Sequence, residues 1–236
     1  MDRRHFLVTG LAAGLIGCKN YLSNLLNEID LDEGKLLLSL KKYVIKSETK
    51  VDYFMDNYDR NLTQYGMGIV YKDFYFTLGH IVDFSKGVPV NTPFGLINRV
   101  PEKLKFETKI NGVKLEKLIF DENDVAIFKL PKNLDVPRFP LEPRKDIYLG
   151  ERIADIGNPQ LLGFNYRMGK ISDLDGIKIP GGEGYENSIG TDIGVIPGDS
   201  GTPVISMSDK KLVGIMGLRF WGAGYFQPIK NFLKYL

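Results

Sequence analysis

The feature that most limits what this chain can fold into is a succession of short apolar runs separated by glycine, proline, asparagine and aspartate. Short runs bounded by turn residues are typical of β-strands. Asn111-Gly112 lies between two of them and predicts a tight hairpin. Many short strands at this spacing indicate β-barrels or a β-sandwich rather than alternating strand–helix units. The predicted strands are 36–45, 65–71, 75–78, 94–99, 104–110, 113–120 and 125–130, then 152–156, 166–172, 176–179, 188–191, 202–206, 211–218 and 224–227.

A proline-rich stretch divides these strands into two sets. Four prolines fall between Pro131 and Pro143, and proline cannot donate to a β-ladder. This stretch therefore predicts a stiff connector, at 131–145, between a first β unit at about 35–130 and a second at about 146–227. The last segment, 228–236, begins with proline and carries apolar residues at helical spacing, which predicts a closing C-terminal helix.

The first 18 residues have the pattern of a targeting segment. Arg3-Arg4 precedes an apolar run that is too short to span a bilayer comfortably. The run ends in Leu15-Ile16-Gly17-Cys18, which resembles the lipobox of bacterial lipoproteins. Arg3-Arg4-His5-Phe6-Leu7 resembles the twin-arginine export pattern, although any signal segment can hold two basic residues.

The lipobox resemblance implies a signal peptide at 1–17, a lipid on Cys18 that binds the membrane, and a tether or short helix at 18–34. The protein would then be a membrane-anchored lipoprotein of the bacterial cell envelope, facing the periplasm or the exterior. An uncleaved N-terminal anchor and a buried N-terminal helix are the alternatives. We expect one folded domain, made of the two β units and the closing helix, at 35–236.

Composition narrows the range of partners. The formal net charge is +2 and the 31 basic residues are scattered, so charge gives no reason to expect nucleic acid. The single cysteine, Cys18, excludes an intramolecular disulfide, and one histidine in the body makes a His/Cys zinc site unexpected. We expect no metal and no cofactor, although a site made of carboxylates alone stays open. The sequence does not indicate an oligomeric state.

The segment Pro197-Gly198-Asp199-Ser200-Gly201 predicts a reactive serine. Glycines on both sides of Asp199-Ser200 let the backbone turn sharply and approach a substrate closely. A nucleophilic serine needs such exposure, with backbone N–H groups beside it to hold a developing oxyanion. A turn serine that bonds its own backbone is the alternative interpretation.

A base and an acid for this serine come from the first β unit. The chain has two histidines, and the other one lies in the predicted targeting segment, so His80 is the usable base. Asp124 is the candidate acid because a predicted buried strand follows it directly, and Asp121 and Glu122 are nearby alternatives. With Ser200 on the second unit, the site would lie in the cleft between the two.

These segments resemble the chymotrypsin-like serine proteases and, within them, the HtrA/Deg group. The resemblance implies an all-β fold of two six-stranded antiparallel β-barrels with a C-terminal helix. It also implies Ser200 as nucleophile, His80 as general base and Asp124 as its orienting acid. The oxyanion hole would be the N–H groups of Gly198 and Ser200. The matching stretches are 66–80, 156–159, 169–172, 191–201, 214–215 and 224–229.

The same resemblance places the pocket for the substrate residue before the cleaved bond, P1. Gly194 stands where a trypsin-type enzyme would have an acid, so we expect an apolar P1 residue of small to medium size. Asp192 matches an aspartate that does not select basic side chains. The residues expected to bind substrate are Ile193, Gly194, Val195, Ile196, Ile215, Met216 and Gly217.

Three positions depart from the HtrA pattern. Asp199 replaces the usual asparagine, Thr202 replaces a common glycine and could crowd the loop, and Leu78-Gly79 replaces a small or polar pair. No PDZ domain follows the matched region, so we expect a serine protease domain at 35–236 without one. The expected function is a serine endopeptidase acting on polypeptides. The alternative is a catalytically silent protease-fold lipoprotein that binds peptides or partner proteins.

Overall fold

The structure is a computed structural model that describes residues 31–92, 95–158, 163–176, 187–220 and 223–236. The chain divides into two compact units, Met1–Ser39 and Leu40–Leu236. The helices are α1 (Leu31–Leu40), α2 (Gly79–Val82) and α3 (Lys230–Leu233), with a 3₁₀ turn at Lys41–Tyr43. The strands are β1 (Val44–Met55), β2 (Tyr58–Tyr71), β3 (Phe74–Leu78), β4 (Val88–Thr92), β5 (Gly95–Arg99), β6 (Lys103–Ile110), β7 (Val113–Lys114), β8 (Glu116–Phe120), β9 (Val125–Lys129), β10 (Arg152–Gly157), β11 (Asn165–Asp173), β12 (Ile189–Thr191), β13 (Pro203–Ser206), β14 (Leu212–Phe220) and β15 (Ala223–Pro228).

The predicted first strand, 36–45, is wrong for most of its length. Its residues form α1 and the 3₁₀ turn, and β1 starts only at Val44. Leucine and lysine favour a helix, and Asp32 and Glu33 in the first turn stabilise the positive end of the helix dipole. Among the described residues no helix is long and apolar enough to cross a membrane. The predicted signal peptide and most of the predicted tether lie outside the described residues.

The first barrel is an antiparallel sheet in the order β7-β6-β1-β2-β3-β9-β8. Its two outer strands, β7 and β8, are separated in sequence only by Leu115, whose N–H donates to Thr108 of β6 at 2.9 Å. The two edge strands of this seven-stranded sheet are therefore neighbours in sequence, β7 pairing with β6 and β8 with β9. Ile69, Phe76 and Ile127 pair across β2, β3 and β9 and are fully buried.

Two tight hairpins shape this barrel. Asn111 and Gly112 join β6 to β7 with φ of +49° and +78°, the pair of positive φ angles that a type I′ turn requires, and the predicted hairpin is confirmed. A second turn of this kind, Asp56-Asn57 with φ of +55° and +66°, joins β1 to β2. This hairpin and the long strand arms beside it were not among the predicted elements.

The second barrel is closed, in the order β10-β11-β12-β15-β14-β13, with β13 pairing back onto β10. The all-β expectation of two antiparallel barrels is thus confirmed. A strand was also predicted at 176–179; Gly176 lies outside any strand, and 177–179 lie outside the described residues. The core of this barrel is built from Ile153, Ile171, Ile189, Ile193, Val195, Val204, Val213, Met216 and Phe226.

An irregular segment links β9 to β10, and hydrogen bonds hold it against both barrels. The N–H of Phe139 donates to Val70 of the first barrel at 2.6 Å, and the N–H of Arg144 donates to Leu212 of the second at 2.9 Å. The closing helix is shorter than the predicted 228–236, because Pro228 still pairs with Gly214 in the sheet. The helix α3 therefore occupies a single turn after it.

Candidate active site

Strand β3 delivers His80 to the edge of the first barrel. The strand ends at Leu78 and the chain enters the single turn α2, of which His80 is the second residue. The N–H of Gly79 donates to the carbonyl oxygen of Asp124 at 2.8 Å, and the N–H of His80 donates to Asp124 Oδ1 at 2.6 Å. A Cβ at Gly79 would lie 3.1 Å from the same Oδ1. The glycine that departs from the HtrA pattern thus leaves room for the carboxylate.

An unusual backbone conformation turns Asp124 toward that turn. Its φ is +58°, in the left-handed region that aspartate tolerates better than most residues. Asp121 holds the surrounding loop, since its Oδ1 accepts the N–H groups of Asn123 at 2.9 Å and Val125 at 3.1 Å. Of the two alternative acids, Asp121 therefore stabilises the loop backbone, and Glu122 is exposed to solvent.

His80 and Asp124 form a direct pair between side chains. Nδ1 lies 2.7 Å from Oδ2, with the histidine side chain 37% exposed and that of the aspartate 8% exposed. Burial lowers the pKa of His80, but the charge and hydrogen bond of Asp124 outweigh it and hold that pKa above the usual 6.5. Because Nδ1 faces the carboxylate, Nε2 is the nitrogen that can take a proton from a serine.

Hydrogen bonds fix the Ser200 loop against the first barrel. The N–H of Met67 in β2 donates to the carbonyl oxygen of Ser200 at 3.1 Å, and the buried Thr77 hydroxyl donates to the carbonyl of Met67 at 2.7 Å. Gly201 has a φ of +94°, and a Cβ there would lie only 1.7 Å from the Met67 carbonyl oxygen. The serine backbone is therefore joined to β2 and, through Thr77, to the strand that precedes His80.

The hydroxyl of Ser200 donates to the carbonyl oxygen of Gly217 in β14 at 2.9 Å. Gly217 was predicted to bind substrate, and the structure brings it to the serine. For the serine to act as a nucleophile, its hydroxyl must rotate from this carbonyl toward Nε2 of His80.

The two predicted oxyanion donors flank a residue whose N–H is already bonded. Asp199 donates its N–H to the carbonyl of Ile196 at 3.1 Å, which closes a turn. Within the described ranges, the N–H groups of Gly198 and Ser200 make no backbone–backbone hydrogen bond. Thr202, whose side chain could crowd the loop, donates its hydroxyl to the carbonyl of Asp199 at 2.7 Å. The N–H groups on either side of Asp199 therefore have no backbone partner in this part of the chain, as the donors of an oxyanion site must.

The predicted substrate-binding residues fall into two groups. Ile193, Val195 and Met216 pack in the core of the second barrel, and Ile215 is also fully buried. Gly194 and Ile196 alternate with them and are exposed. A Cβ at Gly194 would have open space around it. Of the predicted substrate-binding residues, Gly194 and Ile196 are therefore the ones exposed enough to contact a substrate side chain, and the buried residues pack behind them.

A buried charged cluster under the Ser200 loop is not among the predicted site residues. It consists of Asp155 in β10, Arg167 in β11 and Asp199 of the loop itself. The sequence does hold one indication of this cluster, because Asp155 interrupts the apolar run Ile153–Ile156 of a predicted strand. A carboxylate buried in a strand requires a charged or hydrogen-bonding partner. The partner could not be named, since it comes from a different strand.

A histidine–carboxylate pair on one antiparallel barrel and a serine loop on the next define the chymotrypsin-like class of proteins. Residues 66–215 match the family described as "Trypsin-like peptidase domain", and the chain belongs to this family.

Curated relatives are proteins named as periplasmic proteases. The chain is 30% identical over 135 residues to the "Probable periplasmic serine endoprotease DegP-like" of Pseudomonas fulva, a match covering 57% of this chain and 26% of the relative. It is 28% identical over 157 residues to the "Periplasmic serine endoprotease DegP" of Salmonella typhimurium, covering 64% and 29%. The chain thus spans between a quarter and a third of the length of these relatives.

Solved structures support the fold. A variant of the HtrA-type protease AlgW with a decapeptide has a TM-score of 0.62 and 20% identity, covering 85% of this chain and 64% of that one. AlgW with a tripeptide has a TM-score of 0.56 and 21% identity, covering 84% and 60%. Both likenesses concern the two-barrel architecture.

Proposed function

We propose that the protein is a serine endopeptidase of the bacterial cell envelope that cleaves extended polypeptide through an acyl-enzyme. The observation that carries the proposal is the 2.7 Å pair of His80 and Asp124 at the end of β3, together with the Ser200 loop bonded to the neighbouring strand. Relatives named as periplasmic endoproteases and a structural likeness to a protease with bound peptides support the substrate class and the location.

The proposed chemistry uses groups of this chain alone. Ser200 Oγ attacks the carbonyl carbon of the substrate while Nε2 of His80 takes the hydroxyl proton, and Asp124 stabilises the imidazolium. The N–H groups of Gly198 and Ser200 hold the oxyanion. His80 then returns the proton to the leaving amine, and water releases the acyl group by the same steps in reverse.

We propose that the substrate binds as an added β-strand along the cleft, with an apolar P1 side chain beside Gly194 and Ile196. The exposure of these two positions, and the absence of an acid at Gly194, support a preference for Val, Ala, Ile or Leu. Asp192 is engaged elsewhere, since its Oδ1 accepts the N–H of Lys170 at 2.6 Å.

A single digestion tests both activity and specificity. The purified protein is incubated with unfolded casein, and the products are identified by mass spectrometry. The wild type should cut after small or medium apolar residues, while Ser200→Ala and His80→Ala should lose nearly all cleavage because the triad acts as a unit. Ser172→Ala, at an exposed serine of β11, serves as the control. Cleavage by folded Ser200→Ala refutes the nucleophile, and cuts mainly after Arg, Lys or Glu refute the pocket.

The second candidate is a catalytically silent lipoprotein that binds peptides. The hydrogen bond from Ser200 Oγ to Gly217 favours it, because the hydroxyl proton is directed to a carbonyl rather than to the base. Peptide binding without any Ser200-dependent cleavage would support this function over the first.

For the N-terminus we propose cleavage after Gly17 and a lipid on Cys18. One acyl chain gives only marginal membrane binding, so stable anchoring needs more than one. The intact mass of protein from a bacterial host should show the added lipid, and Cys18→Ser should lose both that mass and membrane fractionation. A mature chain that begins at Met1 would indicate an uncleaved anchor instead.

A further inference from the structure

One guanidinium group connects three parts of the second barrel beneath the Ser200 loop. Arg167 Nε donates to Asp155 Oδ1 at 3.0 Å, and Nη2 donates to the other oxygen of the same carboxylate. Its Nη1 donates to Asp199 Oδ2 at 2.6 Å and to the carbonyl oxygen of Gly194 at 2.5 Å. The planar fork of arginine suits such simultaneous contacts, and lysine cannot reproduce them.

This cluster is buried and holds more acid than base. The side chains of Asp155 and Asp199 are both 0% exposed, and that of Arg167 is 16% exposed. Burial, with a smaller effect of the Asp199 charge, raises the pKa of Asp155 to about 6 in spite of the opposing effect of Arg167. Because two buried carboxylates share one guanidinium, Arg167 is the cation on which the geometry of both depends.

The cluster touches the parts of the loop that the reaction needs. Asp199 stands between the two oxyanion donors, and its Oδ2 also accepts the N–H of Ile196 at 2.8 Å. Gly194, whose carbonyl Arg167 holds, belongs to the proposed P1 pocket. Space around the cluster is tight, because a Cβ at Gly157 would lie 2.4 Å from Asp199 Oδ1 and 2.6 Å from Arg167 Nη2.

We propose that Arg167 is a positioning residue for the reaction: it holds the Asp199 carboxylate and the Gly194 carbonyl so that the Ser200 loop presents its oxyanion donors and P1 wall together. The inference rests on the proposed function. Arg167 acts through the loop and takes no part in proton transfer, so its loss should change the rate of the chemical step and leave the titration of His80 unchanged.

The test compares Arg167→Gln, Arg167→Lys and the double variant Asp155→Asn/Arg167→Gln. The double variant removes one buried carboxylate along with its cation, which favours folding where the single variant fails. Arg152→Gln, at an exposed position of β10, is the control. Near-ultraviolet circular dichroism and thermal unfolding establish the fold. The measurements are kcat and KM on fluorescein-labelled casein, the rate of fluorophosphonate labelling, and the pH midpoint of kcat/KM.

We expect the folded Gln variants to lose about 10²–10³-fold in kcat and in labelling rate, the effect of removing one oxyanion donor. KM should rise as well, because the Gly194 carbonyl of the P1 wall loses its partner, and the pH midpoint should stay unchanged. Arg167→Lys should fall between these variants and the wild type. A folded Gln variant within about threefold of the wild type overturns the proposal, as does a change confined to KM or an equal loss in Arg152→Gln. An inactive, unlabelled wild type would instead overturn the proposed function itself.

Discussion

Replacing Asp124 by asparagine separates the electrostatic role of this residue from its shape. The carboxylate accepts two hydrogen bonds from His80, one from the backbone N–H at 2.6 Å and one from Nδ1 at 2.7 Å. Asparagine can keep the first bond through its carbonyl oxygen. The amide NH₂ would then face Nδ1, which favours the tautomer that carries its proton on Nε2, where the serine proton must go.

The expected fall in kcat of Asp124→Asn combines the loss of the carboxylate charge with the wrong histidine tautomer. Two opposite unit charges about 4 Å apart attract by about 4 kcal/mol at an effective dielectric constant of about 20, which corresponds to about 10³-fold in rate. The His80 ring is 37% exposed, and solvent screening reduces this contribution. With the wrong tautomer added, we expect Asp124→Asn to lower kcat by about 10³–10⁴-fold.

The pKa of His80 determines the direction in which the pH midpoint of kcat/KM should move in Asp124→Asn. The pKa of His80 is held above 6.5 by the charge and hydrogen bond of Asp124, which outweigh the lowering effect of burial. Activity needs the neutral ring, so kcat/KM of the wild type should rise through a midpoint above about 6.5. In Asp124→Asn the burial remains and the charge is gone, so the midpoint should move to lower pH.

The assay measures kcat/KM from pH 5 to 9 and, in parallel, the NMR titration of the His80 ring in a His5→Asn background, where it is the one histidine. Glu122→Gln, the same chemical change at an exposed neighbour, is the control. A folded Asp124→Asn enzyme within tenfold of the wild type, or a midpoint that stays or rises, would refute the reasoning.

Two further predictions concern the supports of the site. Gly201→Ala should lower the free energy of unfolding in urea by about 3 kcal/mol or more, because the positive φ and the Met67 carbonyl oxygen 1.7 Å from the new Cβ both oppose a side chain. The control Gly112→Ala, also at positive φ but with nothing within 4 Å, should lose about 1–2 kcal/mol. Equal losses in the two variants would contradict the packing argument. Tyr235→Phe removes the hydroxyl that donates to Asp121 Oδ2 at 2.8 Å. It should lower the free energy of unfolding by about 1 kcal/mol and lower kcat several-fold. An unchanged kcat would mean that this contact does not hold the loop that carries Asp124.

The sequence located the second barrel and the His80–Asp124 pair because their signals are local. Apolar runs bounded by glycine and proline mark the core strands, and Asn111-Gly112 by itself predicts its turn. Asp124 could be chosen over Asp121 because a buried strand follows it directly. The structure adds that Asp121 bonds the backbone of the same loop.

The arms of β1 and β2 could not be predicted from hydrophobicity. Their inward-facing residues include the polar Ser47 and Thr49, which are buried, and Thr49 lies within hydrogen-bond distance of Thr108 at 3.0 Å. Hydroxyls that satisfy one another inside a barrel look like surface residues in the sequence. The segment 36–40 was predicted as a strand because a run of leucines is typical of a buried strand and of a helix alike. The acidic residues of the first turn, which precede this segment, favour the helix.

The Arg167 cluster could not be assembled from the sequence because its members lie far apart. Asp155 and Arg167 face each other across the β10–β11 pairing, but Asp199 joins them only when the Ser200 loop folds over the closed barrel. The departure at Asp199 from the HtrA pattern therefore acquires a physical explanation only from the tertiary structure.

The central claim is that Ser200 is a nucleophile activated by His80, and the most direct measurement is covalent labelling by a fluorophosphonate probe. Purified wild-type protein should gain the mass of one phosphonyl group, located on Ser200 by peptide mass spectrometry. Asp124→Asn should be labelled far more slowly, while Ser200→Ala and His80→Ala should stay unlabelled. A folded wild-type protein that stays unlabelled, or that is labelled as quickly when His80 is alanine, would contradict the account.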